Sequence, residues 1–234
     1  DKYICHKYKD RDEWKSMRIK GVGGSDASTL VGMNPWKTNS TLWKEKKGIL
    51  IPEDISDKPY VKYGTIAEQY LRELFALDYP QYEVQYVDNV TLQSIEYPWM
   101  LYSPDGLLYD KETGQRGILE IKTTNILQSM QREKWKDRIP DNYYCQVLHG
   151  LNVTGFDFVI LKAQLKTEWQ DGTVKLDTRH YKITREEILD DLNWLLTNEK
   201  EQWILQEQKH YQDLNQQLAT ISKKREQGSL TQTQ

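Results

Sequence analysis

The most constraining feature of the sequence is the run Gly117 to Thr123, GILEIKT, in which two charged residues sit inside an otherwise apolar segment. On a strand, successive side chains point to opposite faces. Glu120 and Lys122 therefore share one face, and Leu119 and Ile121 take the other. So apolar a run belongs in the middle of a sheet, where charges are uncommon without a task; on an edge strand the same pair would be an ordinary solvated one. Just upstream, YSPDGLL places Asp105 at a Pro-Asp-Gly corner, and the polar stretch Asp110 to Arg116 reads as the turn of a hairpin. An Asp at the end of one strand and a Glu/Lys pair on its partner can converge on one point. Two carboxylates there can hold a hard divalent cation, and the lysine can orient a water. The pattern points to phosphodiester hydrolysis.

The totals narrow the class. With 234 residues the chain makes one large domain, or one domain with an appendage. No apolar run approaches the ~20 residues that a spanning helix needs. The opening DKYICHKYKDRDEW lacks the apolar region of a secretory signal, so the expected setting is the cytoplasm, with no membrane partner. Cys5 and Cys145 are then free thiols. The two Cys and four His never cluster at zinc-ligand spacing. A formal net charge of -3 counts against non-specific coating of nucleic acid but allows a local basic channel.

Along the chain, Asp10 or Asp12 can cap a helix through Trp14 and Met17. Gly21, Gly23 and Gly24 form a flexible turn, and Ser25-Asp26 starts a helix through Leu30 and Val31. The N–H groups at that start, with Ser25 Oγ and Arg18, suit a phosphate, although an ordinary capped helix is the commoner meaning of such a segment. Asn39-Ser40-Thr41 caps a short helix, Leu42 to Lys47. Tyr60 to Leu77 has helical spacing and carries Glu68, by itself a solvated glutamate. Glu83 to Gln93, Trp99 to Leu108 and Gly117 to Thr123 read as an antiparallel meander. The basic stretch Thr124 to Arg138 is either a helix facing DNA or a solvated face. Pro140 opens a helix that includes Gln146 and ends near Gly155, and strands follow at Phe156 to Ala163 and Lys175 to Ile183. Thr184 with Glu187 forms a capping box at the head of a long final helix, in which Gln206 to Lys209 suggests a bend or two helices. Gln227 to Gln234 reads as a frayed polar end.

Five segments then occur in order: RIKGVGGSDAS, YGTIAEQYL, LYSPDGL, LEIKTT and YYCQVLHGLNVTG. Together, over about Asp10 to Ala163, they resemble the motifs of the phage lambda exonuclease / YqaJ-type viral recombinase family, within the PD-(D/E)xK nuclease superfamily. The resemblance implies an α/β fold with a restriction-endonuclease-like core: a central mixed β-sheet flanked by helices, here with a long C-terminal helix. Residues 1–183 would form the exonuclease domain and 184–234 a C-terminal helical extension.

It further implies that Asp105, Glu120 and the Ile121 backbone carbonyl bind Mg²⁺ or Mn²⁺, and that Glu68 helps hold a second ion. Lys122 would orient the attacking water or stabilise charge on the phosphate, and Arg18, Ser25 and Gln146 would hold a 5′ phosphate. A further family acid is best sought at Glu96, with Asp88 the poorer candidate. The implied activity is 5′→3′ exonuclease action on linear double-stranded DNA, leaving 3′ tails for phage-type recombination. The implied partners are DNA ends, a single-strand annealing recombinase and further copies of the chain in a ring, such as a trimer, in the cytoplasm of a phage-bearing bacterial host. Two rivals stand beside this reading: a restriction-like or structure-specific endonuclease on the same core, and a non-catalytic DNA-end or protein-binding module.

Overall fold

The run that opens the sequence argument is the central strand of the structure, a computed structural model that describes residues 1–228. The strands are β1 (Tyr3–Lys7), β2 (Tyr82–Gln85), β3 (Val90–Ser94), β4 (Leu101–Tyr102), β5 (Gly106–Asp110), β6 (Arg116–Asn125), β7 (Phe158–Glu168) and β8 (Val174–Thr184). The helices are α1 (Arg11–Arg18), α2 (Ala27–Leu30), α3 (Asn39–Lys46), α4 (Pro59–Asp78), α5 (Ser129–Glu133), α6 (Asp141–Thr154) and α7 (Leu189–Glu226). Five strands form a mixed sheet in the order β2-β5-β6-β7-β8, with β6 and β7 parallel and the other neighbours antiparallel. A parallel pair needs a long crossover, and the segment carrying α5 and α6 supplies it.

The alternation in β6 sorts the two layers. Leu119 and Ile121 pack with Leu71 and Phe75 of α4 on one face. On the other face Ile118 joins the core built with Val147, Leu148 and Leu151 of α6. Glu120 and Lys122 share that second face by the period of two, beneath α6. Gly117 is needed at the start of the strand, because a Cβ there would lie 2.3 Å from the Phe158 ring.

The expected meander is corrected. Glu83 to Gln93 is two strands in two sheets, separated at Asn89, whose φ of 58° is a left-handed value that Asn tolerates. Trp99 to Leu108 is likewise broken at Ser103-Pro104-Asp105, where proline has no N–H to continue a ladder. β3 and β4 instead form a small sheet with β1, a strand that the sequence did not signal. In Thr124 to Arg138, β6 continues to Asn125 and only Ser129–Glu133 is helical. The helix expected after the glycine turn is a 3₁₀ turn, Gly24–Asp26, followed by the single turn α2. No capping box forms at Thr184, which precedes a 3₁₀ turn with no side-chain cap bond.

Helix α7 runs unbroken for 38 residues through the segment expected to interrupt it. The polar residues there meet partners on α3. Gln206 donates to Asn39 at 3.1 Å, Asn39 donates to Gln202 at 3.0 Å, and Lys47 pairs with Glu207. The first half of α7 adds Leu192 and Leu195 to the core, whereas Tyr211, Leu214, Leu218 and Ile221 are exposed. Most of the segment expected to fray, from residue 229 on, lies outside the described residues.

One ion pair fixes α7 to α6. His149 Nδ1 lies 2.9 Å from Glu199 Oε2, and both side chains are wholly buried. His149 Nε2 lies 2.8 Å from the Leu101 carbonyl oxygen. With an acceptor at each ring nitrogen, the imidazole is held as a double donor. Burial by itself lowers its pKa, but the Glu199 carboxylate, aided by the Leu101 carbonyl and Asp26, raises it overall. The pair's stabilisation is therefore complete below the unfolded histidine pKa of ~6.5 and declines as pH rises through the folded value. We expect Glu199→Ala to cost about 3–5 kcal/mol by stranding a buried cation. Denaturant unfolding at several pH values checks both points, and a flat pH profile identical in wild type and Glu199→Ala would refute them.

Candidate active site

The Pro-Asp-Gly corner places Asp105 where β5 begins, next to the middle of β6. Asp105 Oδ2 accepts a hydrogen bond from the Ile121 N–H at 2.8 Å, so the hairpin does bring Asp105 to the Glu120-Ile121-Lys122 segment. Arg72 of α4 holds the corner from the other side. Its Nε donates to the Asp105 carbonyl oxygen at 2.7 Å, and its Nη2 donates to Glu68 Oε1 at 2.6 Å. The guanidinium also lies over the Tyr86 ring, 3.4 Å from its centroid. One arginine thus joins the two acids that come from separate elements.

Glu120 is 1% exposed. Its Oε2 accepts from Gln146 Nε2 at 3.3 Å, while its buried Oε1 has no hydrogen-bond partner. Burial raises the Glu120 pKa to about 7; Lys122 opposes the shift and Glu68 adds to it. Glu68 is also pushed up to about 7, by burial and then by the charge of Asp105, against the pull of Arg72. Burial raises Asp105 too, opposed by Lys122 and the Ile121 N–H. Lys122 Nζ donates to Gln146 Oε1 at 2.7 Å. The Gln146 amide therefore bridges Lys122 and Glu120.

Among the described residues, no three acidic, His or Cys side chains stand as a preformed metal cage. Each acid is held by a protein donor instead. The donor chemistry nevertheless fits a hard divalent cation: carboxylate oxygens, one of them buried without a partner, on groups that burial alone pushes towards protonation.

Arg18, Ser25 and Gln146 line one cavity of about 180 Å³, together with Glu68 and Asp105. The Arg18 guanidinium lies over Trp14, 4.4 Å from the ring centroid, and burial lowers its pKa. Asp26 is engaged elsewhere, with Lys46 at 2.8 Å and the Gly23 N–H at 2.9 Å. Gly24 serves close packing: a Cβ there would lie 3.0 Å from Gln146 and 3.2 Å from Tyr102. For the further acid, the structure reverses the sequence preference. Asp88 lines this cavity, and Glu96 does not. Arg72 and Ser103 were missed. Arg72 follows Glu68 by four residues, a visible helix pair that looks the same as a surface one. Ser103, beside Asp105 in the cavity wall, hydrogen-bonds Thr91 at 3.0 Å.

Comparison with known proteins gives this geometry a lineage. The chain is 33% identical over 168 residues to the uncharacterized protein YqaJ of Bacillus subtilis, covering 69% of this chain and 49% of that protein. It is 27% identical over 157 residues to protein D345L of African swine fever virus (isolate Tick/South Africa/Pretoriuskop Pr4/1996), covering 60% and 44%. The chain thus spans about half the length of the curated relatives it matches. Its fold matches the crystal structure of an alkaline exonuclease from Laribacter hongkongensis with a TM-score of 0.66 at 17% identity, over 90% of this chain and all of that one. The profile of the YqaJ-like viral recombinase domain matches residues 13–157, which contain Glu68, Asp105, Glu120 and Lys122 as well as Arg18, Ser25 and Gln146, and the chain belongs to that family.

Proposed function

We propose that this protein is a divalent-metal-dependent DNA exonuclease that degrades one strand of a linear duplex 5′→3′ and leaves 3′ single-stranded tails for recombination. The observation that carries this reading is the place of Gln146. It touches Lys122 and Glu120 and also lines the cavity that holds Arg18 and Ser25. An end-binding cavity and a hydrolytic cluster therefore share a wall. The fold shared with the Laribacter alkaline exonuclease, a protein also solved in complex with dAMP, supports the nuclease reading.

In this reading Arg18, Ser25 and Gln146 hold the terminal 5′ phosphate and so register the next phosphodiester beside the acids. Asp105, Glu120 and the Ile121 carbonyl would hold one Mg²⁺ or Mn²⁺, and Glu68 would help hold a second. Bound there, such ions neutralise phosphate charge and make water a better nucleophile. Lys122 aligns that water or counters the charge that grows on the phosphate oxygens. Arg72 keeps Glu68 and the Asp105 corner in place through both of its hydrogen bonds. Residues 1–183 carry the chemistry, and the segment from residue 184 on, helical from Leu189 to Glu226, is an extension. The annealing recombinase, the ring of like subunits and the cytoplasmic setting belong to the same proposal.

Lys122→Ala should lower cleavage at least 10²-fold, the usual loss for one charge-stabilising donor, with duplex binding retained. Normal turnover in this variant would remove Lys122 from the chemistry. Linear duplex with 5′-phosphorylated ends should be degraded much faster than the same duplex after dephosphorylation, with a 5′ label released first; equal rates would defeat the end-binding assignment. EDTA should stop the reaction, and covalently closed circles should survive it. Cut circles would point to an endonuclease.

A further inference from the structure

A second cavity, of about 680 Å³, lies on the other side of the wall formed by Ser25 and Gln146. Its size falls in the ~300–1,000 Å³ range of ligand sites. Lys122, Lys134, Arg138 and Tyr143 line it, and Trp36 stands at its rim with 92% of its surface exposed. Single exposed apolar side chains are common, but the backbone that carries this indole is fixed by its own loop. Met33 N–H donates to the Ser28 carbonyl at 2.8 Å. Asn34 Nδ2 donates to Thr29 Oγ1 at 2.9 Å, and Asn34 Oδ1 accepts from the Trp36 N–H at 2.9 Å. Just beyond, Lys37 is tied to Glu45 at 2.8 Å. The loop is pinned on both sides of Trp36, so little ordering cost remains when the ring is covered. Of the cationic residues, Arg138 faces Asp141 at 3.6 Å, an exposed pair that is weak in water.

We infer that Trp36 is a stacking platform for an unpaired base of the strand that crosses the carboxylate cluster. The strand runs from the Arg18 cavity, over Gln146, into the cavity under Trp36, where Lys134 and Arg138 follow its phosphates. Aromatic side chains beside a cationic groove are how proteins bind single strands without reading sequence. The inference rests on the nuclease reading for the path of the strand. It adds a ligand, a single-stranded segment, and gives Trp36, Lys134 and Arg138 a role that the proposed chemistry does not assign them.

The test is anisotropy of a 5′-phosphorylated oligothymidylate in Ca²⁺, with wild type, Trp36→Ala and Trp36→Phe. Each protein is then titrated with the same oligonucleotide carrying one abasic site at successive positions. Trp36→Ala should weaken binding roughly ten-fold, the scale of one base–aromatic stack, and Trp36→Phe should restore most of the loss. At one abasic position the penalty seen with wild type should vanish in Trp36→Ala, because both changes delete the same stack. The proposal falls if Trp36→Ala binds within two-fold of wild type, if the abasic penalties are additive at every position, or if wild type does not bind the oligonucleotide. Cleavage in Mg²⁺ is scored separately. A protein that shows the non-additive position but cuts nothing keeps the stack and loses the nuclease reading; one that cuts with additive penalties does the reverse.

Discussion

The site depends on a carboxylate buried in the central strand of the sheet. Glu120 has one oxygen held by Gln146 and the other without a partner, under a helix and next to a lysine. Such a group is costly: burial opposes its charge, and an unsatisfied buried oxygen forfeits about 1–3 kcal/mol. The fold bears that cost because the other face of the same strand is fully used. Leu119 and Ile121 pack against α4 with Phe75 and Phe158. The period of two in a strand lets one segment do both jobs, with apolar packing on one side and the charged groups of the candidate site on the other.

The supports around Glu120 come from three directions. Arg72 reaches from α4 to Asp105 and Glu68, Gln146 reaches from α6 to Lys122, and the His149–Glu199 pair locks α6 to α7 three residues further along the helix. His149 also binds the Leu101 carbonyl, on the strand that leads into the Ser103-Pro104-Asp105 corner. The long C-terminal helix is therefore coupled to the helix that carries Gln146 by this buried pair, by the Tyr144–Asp191 and Asn152–Leu192 hydrogen bonds and by shared core packing. Its second half, with Leu214 and Leu218 exposed, takes no part in that bracing.

Period and motif order made the centre of the fold legible in the sequence. The alternation in Gly117 to Thr123 gave the correct face to each residue, and the hairpin placed Asp105 against Ile121. Registers between distant segments were not legible. Nothing local says that Val90 leaves the large sheet to pair with β1, because Asn89 turns the chain through one dihedral angle. Asp88, the poorer candidate by sequence, stands next to that same turn and lines the cavity wall, where Glu96 does not. The polar break in α7 misled for a related reason: amide partners on α3 replace apolar packing without ending the helix.

Charge placement reconciles an acidic chain with the anionic substrate proposed for it. The net charge of -3 is an average over the surface, and counterion screening confines its field to about a Debye length, ~8–10 Å. Within that range of a bound strand the local count is different. Arg11 and Arg18 line one cavity beside Glu68, Asp88 and Asp105, and Lys122, Lys134 and Arg138 line the other, where Asp141 is the one acid among the described residues. Of the cluster's acids, Glu120 and Glu68 have pKa values near 7, so without an ion the cluster carries less negative charge than its formula states. In the proposed mode a phosphate backbone would meet basic side chains on either side of a cluster whose repulsion protons or a bound cation would blunt. For the strand path proposed above, this arrangement would favour a strand that lies across the cluster rather than along the outer surface, a preference that net charge alone does not reveal.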